Sequence, residues 1–172
     1  MKQFAGHNSS VTGVAFNPLG NLVISGSKDG TIKFWDVTSG LCVKTCSGHL
    51  GEVTSVQTNA AFTHMLSGSK DNSNRHLFCL DVADVLRLWD TRTGRPIRRY
   101  QGHQNTAKNF IRCSFGPSES LVVGGSEDGH VYIWDIETGF VLQKLPHDGL
   151  VYRLVLMFLS IVCDLVFHWH WK

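Results

Sequence analysis

Charge is sparse in this sequence: only 17% of its 172 residues are Asp, Glu, Lys or Arg, and they leave a net charge of +2. So weak an overall field neither drives strong nucleic-acid binding nor excludes a local basic patch, and it nominates no partner. Cysteine is limited to Cys42, Cys46, Cys79, Cys113 and Cys163, an odd number with no C-x-x-C pair and no secretory leader pattern ahead of them. That argues against a disulfide framework and fits buried thiols in a reducing compartment, the cytoplasm or the nucleus. The uncharged stretch from Leu154 to Cys163 has only ten residues between Arg153 and Asp164. A bilayer span needs about 20, so membrane insertion is not expected. Catalytic motifs are missing too, with no Walker glycine loop, no H-E-x-x-H and no nucleophile elbow. No enzyme activity, small-molecule substrate or cofactor is expected. His168 and His170 stand beside Trp169 and Trp171 with no third ligand nearby, so no metal site is expected.

Glycine, in contrast, is plentiful at 17 residues, and it falls in a repeating frame. Gly-His occurs at Gly6-His7, Gly48-His49 and Gly102-His103, and each is followed by a Trp-Asp, at Trp35-Asp36, Trp89-Asp90 and Trp134-Asp135. Between the two come an alternating apolar stretch (VTGVAF, VTSVQT, FIRCSF) and a second ending in a turn (LVISGSKDG, HMLSGSKDN, LVVGGSEDG). The Trp-Asp strand follows (TIKFWD, LRLWD, HVYIWD), then a Thr-Ser-Gly or Thr-Gly turn and a last short run. Each unit reads as four short strands of period two, punctuated by hairpin turns.

Three phased copies of this pattern resemble the WD-repeat family, over roughly residues 1–152. The resemblance implies an all-β fold: a fragment of a WD-repeat β-propeller, with about three four-stranded antiparallel blades and the start of a fourth. It places Gly-His/Trp-Asp units at 6–36, 48–90 and 102–135, with a partial unit from 146. It also implies a buried chain of hydrogen bonds in each blade, from the Gly-His imidazole to a turn aspartate and a strand serine, and from that serine to the indole. These positions fall on His7, Ser25, Asp29 and Trp35 in the first repeat and on His49, Ser67, Asp71 and Trp89 in the second. In the third they fall on His103, Asp128 and Trp134, with Gly124 where the serine belongs, so that Ser126 or a water must satisfy the indole and imidazole. The same residue types make a catalytic Ser/His/Asp triad, but a set repeated in each blade and tied to a tryptophan is read as structural.

Two segments depart from the frame. Trp89 lies 18 residues after Asp71, where the other repeats have six. Deleting His76 to Arg87 restores SKDNSNRLWDTRTG, parallel to the first repeat's SKDGTIKFWDVTSG, so residues 76–87 are read as an insertion within the second repeat. A long hairpin loop, a partner-binding loop and a segment without selected function all accommodate it. After His147 opens a further unit, no glycine, proline or asparagine follows Gly149, and residues 153–172 read as an atypical hydrophobic tail.

Propellers close with about four to eight blades. Three units therefore form an open arc with exposed blade edges, prone to self-association. Two functional readings follow. One is a non-catalytic scaffold or adaptor that binds proteins or peptides in a multi-subunit assembly, which the resemblance implies; the 102–145 stretch is similar to the propeller subunit of histone-methyltransferase complexes. The other is a truncated or mis-spliced fragment, inert or interfering with a longer form. For the first, the narrow face of the fold presents Lys28, Lys70 and Glu127, just before the turn aspartates, with Glu52 and Asn105 beside them. A second candidate is TRTGRPIRRY, where Arg92, Arg95, Arg98 and Arg99 either protect an edge strand or bind an acidic partner or RNA. Nucleic acid is not the expected partner.

Overall fold

A computed structural model describes residues 3–70, 85–103 and 112–146. Their alternating apolar residues form twelve strands: β1 (Val11–Phe16), β2 (Leu22–Ser27), β3 (Ile32–Asp36), β4 (Cys42–Cys46), β5 (Glu52–Thr58), β6 (His64–Lys70), β7 (Val85–Asp90), β8 (Pro96–Tyr100), β9 (Cys113–Phe115), β10 (Leu121–Gly125), β11 (His130–Asp135) and β12 (Val141–Pro146). They pair as three separate four-stranded sheets, β1 to β4, β5 to β8 and β9 to β12, each in chain order and antiparallel throughout. No helix occurs among the described residues. The fourth unit, from His147 on, lies outside them, and Pro146, set as its first residue, is the last residue of β12.

The aspartate of each Trp-Asp pair closes the outer hairpin. Asp36 Oδ1 accepts the Ser39 N–H at 2.6 Å, Asp90 Oδ1 that of Thr93 at 2.9 Å, and Asp135 Oδ1 that of Thr138 at 2.7 Å. The chain then passes through a left-handed glycine, Gly40, Gly94 or Gly139, whose N–H returns to the carbonyl of that same aspartate. A side chain is strained in that conformation, which is why the turn ends in glycine.

Each blade buries its apolar residues against the next. Ile24, Ile32, Phe34 and Cys46 of the first sheet meet Val53, Val56, Met65 and Trp89 of the second. Leu66, Leu86, Leu88 and Tyr100 on the second sheet's other side meet Cys113, Phe115, Val122 and Trp134 of the third. The second blade is covered on both faces.

The structure moves the boundary of the insertion. Val85, Leu86 and Arg87 belong to β7, opposite Ser69, Gly68 and Ser67, as Ile32 and Lys33 lie opposite Gly26 and Ser25 in the first blade. Leu86 is 2% exposed in the core. Residues 85–87 are thus part of the blade. The reading of 76–87 as added chain is wrong at its C-terminal end, while 76–84 lie outside the described residues.

Candidate functional site

In the first blade the Gly-His loop, the β2–β3 turn and two strands bring four side chains together. His7 Nδ1 lies 2.9 Å from Asp29 Oδ2, and His7 Nε2 lies 2.7 Å from Ser25 Oγ. Trp35 donates its indole N–H to the same Ser25 oxygen at 2.7 Å. With the indole on its lone pair, the Ser25 hydroxyl donates to Nε2, which leaves the imidazole proton on Nδ1, facing the carboxylate. Burial of the Asp29 carboxyl opposes its ionisation, but hydrogen bonds from the Thr31 hydroxyl, the Asn8 and Thr31 backbone N–H groups and His7 outweigh it and hold the group well below the usual carboxylate range. This Ser/His/Asp set has the order of a catalytic triad, yet Ser25 is buried and its oxygen is engaged by both the imidazole and the indole.

The second blade repeats the arrangement around Ser67, with His49 Nε2 at 2.6 Å and the Trp89 indole at 2.7 Å. Asp71, assigned to the same set, lies outside the described residues.

The third blade is wired differently. Without a serine hydroxyl, the Trp134 indole donates to the backbone carbonyl of Gln101 at 2.9 Å, and neither Ser126 nor a water is needed for it. Asp128 accepts the Tyr132 hydroxyl at 2.8 Å and pairs with Lys144 at 2.9 Å. Its carboxyl also stays well below the usual range: burial opposes ionisation, and Ser126, Lys144 and Tyr132 outweigh that. His103 is buried against Trp134 in an edge-on contact of 5.3 Å between ring centres, and its Nδ1 has no hydrogen-bond partner among the described residues. Burial, partly countered by Asp128, pushes this imidazole down to about 4, so it is neutral near pH 7. Tyr132 is the residue the sequence reading missed. It lies opposite Gly124, where the other blades have Lys33 and Arg87, and its ring stacks on Trp134. An aromatic residue opposite the missing serine was the available signal.

Among the narrow-face residues, Lys28 and Glu52 meet across the first junction at 3.7 Å, both partly exposed. Lys70 and Glu127 are half-buried, and Asn105 lies outside the described residues. No cluster of three or more His, Cys, Asp or Glu side chains suited to a metal occurs among the described residues. The His168 and His170 pair lies beyond them.

Comparison with known proteins agrees with this geometry. The family model described as WD domain, G-beta repeat matches residues 1–36, 40–76 and 94–135. The matches skip 77–93, the stretch that holds most of residues 76–87, read as the insertion, and all of β7. The chain is similar to the COMPASS component SWD3 of Saccharomyces cerevisiae, 27% identical over 95% of this chain and 52% of that protein. It is also similar to the U5 small nuclear ribonucleoprotein 40 kDa protein of Bos taurus, 44% identical over 32% of this chain and 16% of that protein. The chain thus spans about half the length of the first relative and a smaller share of the second. Among solved structures, the crystal structure of the computationally designed Ika4 protein superposes with a TM-score of 0.64 at 33% identity, covering 88% of this chain and 80% of that one.

Proposed function

This chain belongs to the WD-repeat family, and on that premise we propose that it acts as a non-catalytic interaction scaffold, holding proteins or peptides within a multi-subunit assembly in the cytoplasm or nucleus. The observation that carries the reading is the fate of the reactive side chains. The serines, imidazoles and carboxylates that would make a nucleophile and its base are spent on buried indoles and turns, Ser25 and Ser67 among them. Such closed polar networks rigidify a fold, and they tie up the Ser25 and Ser67 hydroxyls that would otherwise act as nucleophiles. The relatives named above as a COMPASS component and a ribonucleoprotein protein support the same class of role.

The surface we assign to partners is the narrow face, with Lys28, Glu52, Lys70 and Glu127 as its candidate residues and Asn105, outside the described residues, as a fifth by its position in the sequence. Exposed charges there contribute orientation and partner selection more than affinity. The test is co-purification of the tagged chain from its own cells, quantified by mass spectrometry, beside a variant carrying Lys28→Glu, Glu52→Lys and Lys70→Glu. Stoichiometric partners that the variant loses are the expected result. A chain that elutes alone, or partners indifferent to the three substitutions, overturns the assignment.

A further inference from the structure

We infer that the outer rim of the second blade is a docking surface for an acidic protein segment with apolar residues on both sides of its carboxylates; this deepens the scaffold reading and rests on it. The first observation is charge. From Thr91 to Ser118 the sequence holds six cations and no acid, whereas the rest of the chain holds ten cations and fourteen acids. The small net charge hides a strongly polarised molecule.

Four of those cations, Arg92, Arg95, Arg98 and Arg99, lie on β8 and the turn before it, at the outer edge of the sheet. Arg92, Arg95 and Arg99 are exposed and make no ion pair among the described residues. Two nearby carboxylates are already committed: Asp90 and Asp135 feel Arg92 and Arg98, but each closes its own hairpin. Arg99 also lies directly across from Arg87, a like-charge pairing that strands ordinarily avoid.

Edge protection does not account for this cluster, because the equivalent rims do without it. The places of Arg92, Arg95 and Arg99 are held by Thr38, Leu41 and Thr45 in the first blade and by Glu137, Phe140 and Lys144 in the third. Those rims are instead apolar and exposed, with Leu41 at 68% and Phe140 at 74%, next to Val43 and Leu142.

The three rims are continuous. Lys44 of the first blade donates to the carbonyls of Thr91 and Arg92, each at 2.7 Å, so the arginine turn sits on the strand that carries Val43. Arg98 donates to the Thr138 carbonyl at 3.2 Å, which places the turn before Phe140 against β8. The result is a band that runs from apolar through basic, with exposed Ile97 at its centre, to apolar again. Exposed apolar side chains gathered in this way mark interaction surfaces. Single-stranded RNA fits less well, since it needs aromatic platforms for its bases. Here Trp89 and Tyr100 are buried, and four of the five exposed apolar residues are aliphatic.

The test is fluorescence anisotropy of the full chain with a labelled peptide that has a glutamate centre flanked by leucines. Saturable binding is expected, weakened roughly tenfold or more by Arg95→Glu with Arg99→Glu and restored for that variant by a peptide with lysines in place of the glutamates. Phe140→Ser with Leu41→Ser should weaken binding without changing its salt dependence, and Arg112→Glu, at an exposed arginine just before β9, on the edge of the third sheet opposite β12, should leave it intact. Equal binding by the rim and control variants overturns the proposal, as does no binding, or a polyuridine that binds more tightly than the peptide. Failure here with co-purifying partners retained rejects the rim alone, whereas peptide binding without co-purifying partners rejects the narrow-face assignment alone.

Discussion

Two twelve-residue deletions in the second repeat have the same length and similar ends, and the structure sets them far apart in stability. Removing residues 76–87 joins Arg75 to Leu88 and puts Asn74 opposite Gly68, in the place of Leu86. Removing residues 73–84 joins Asn72 to Val85 and keeps β7 whole. Leu86 is 2% exposed and packs with Leu66, Leu88, Tyr100 and Trp134. Losing its burial costs about 2 kcal/mol in transfer alone. Burying an asparagine amide there without partners costs a further 1–3 kcal/mol or so, for a total of about 3–5 kcal/mol. That is a large share of the roughly 5–15 kcal/mol that holds a domain together. Urea melts at one fixed protein concentration, followed by tryptophan fluorescence, should show the 73–84 deletion at least as stable as the parent and the 76–87 deletion far below it. Coincident melts, or the reverse order, would refute the placement of Leu86 and with it the revised boundary.

Restoring the family serine in the third blade should fail. A Cβ on Gly124 would stand 2.8 Å from Leu86 Cδ1 and 3.0 Å from Trp134 Cζ3, and the indole already has the Gln101 carbonyl, so Gly124→Ser should lower stability by about 1–3 kcal/mol in a thermal or urea melt; a gain would sink the idea. Ser25→Ala should cost about 2–3 kcal/mol, because His7 and Trp35 both lose their partner, and a neutral result would show that this network contributes little. Acid should weaken the third blade: the unfolded His103 takes up a proton near 6.5 that the fold refuses until about 4, so stability is full above about 6.5 and falls by up to about 3 kcal/mol as the pH drops toward 4. His103→Gln should flatten the melting temperature between pH 7 and 4.5, and an unchanged slope would contradict this. The isolated 172-residue polypeptide should self-associate, since Val14 and Phe16 of the first blade are exposed where Val56 and Phe115 are covered by a neighbour; a sharp monomer by size exclusion with light scattering would refute it.

What could be read from the sequence was whatever recurs at fixed spacing. The first blade's four network residues were legible because the wiring needs specific side chains at specific intervals, and the same holds for the Trp-Asp hairpins. The insertion boundary was not, because Arg75 and Arg87 both precede a plausible Leu-Trp-Asp once the intervening residues are cut away. Only burial separates the two alignments, by placing a leucine and not an asparagine in the core. The Gln101 carbonyl was equally hidden, since every residue carries one and its availability depends on where the backbone turns. The rim needed three dimensions for another reason. Leu41, Arg95 and Phe140 are far apart in sequence, and only the turn-on-strand contacts between blades make them neighbours.

The junctions show how much chemistry this repeat tolerates at one geometric point. Between the first two strands of each blade the chain takes a left-handed residue: Gly20, Phe62 and Glu119 in turn. A side chain in that conformation costs about 1 kcal/mol or more, so it persists where something offsets the strain. Phe62 packs on Phe34 of the preceding blade, with ring centres 6.2 Å apart. Glu119 accepts from the Asn59 amide at 3.0 Å and from the Ala60 backbone N–H at 2.6 Å, again on the preceding blade. A Cβ at Gly20 would meet nothing within 4 Å. The strained residue therefore acts as the reader of the neighbouring blade, apolar where it finds a ring and acidic where it finds amides. Gly20 makes the same left-handed turn without that strain.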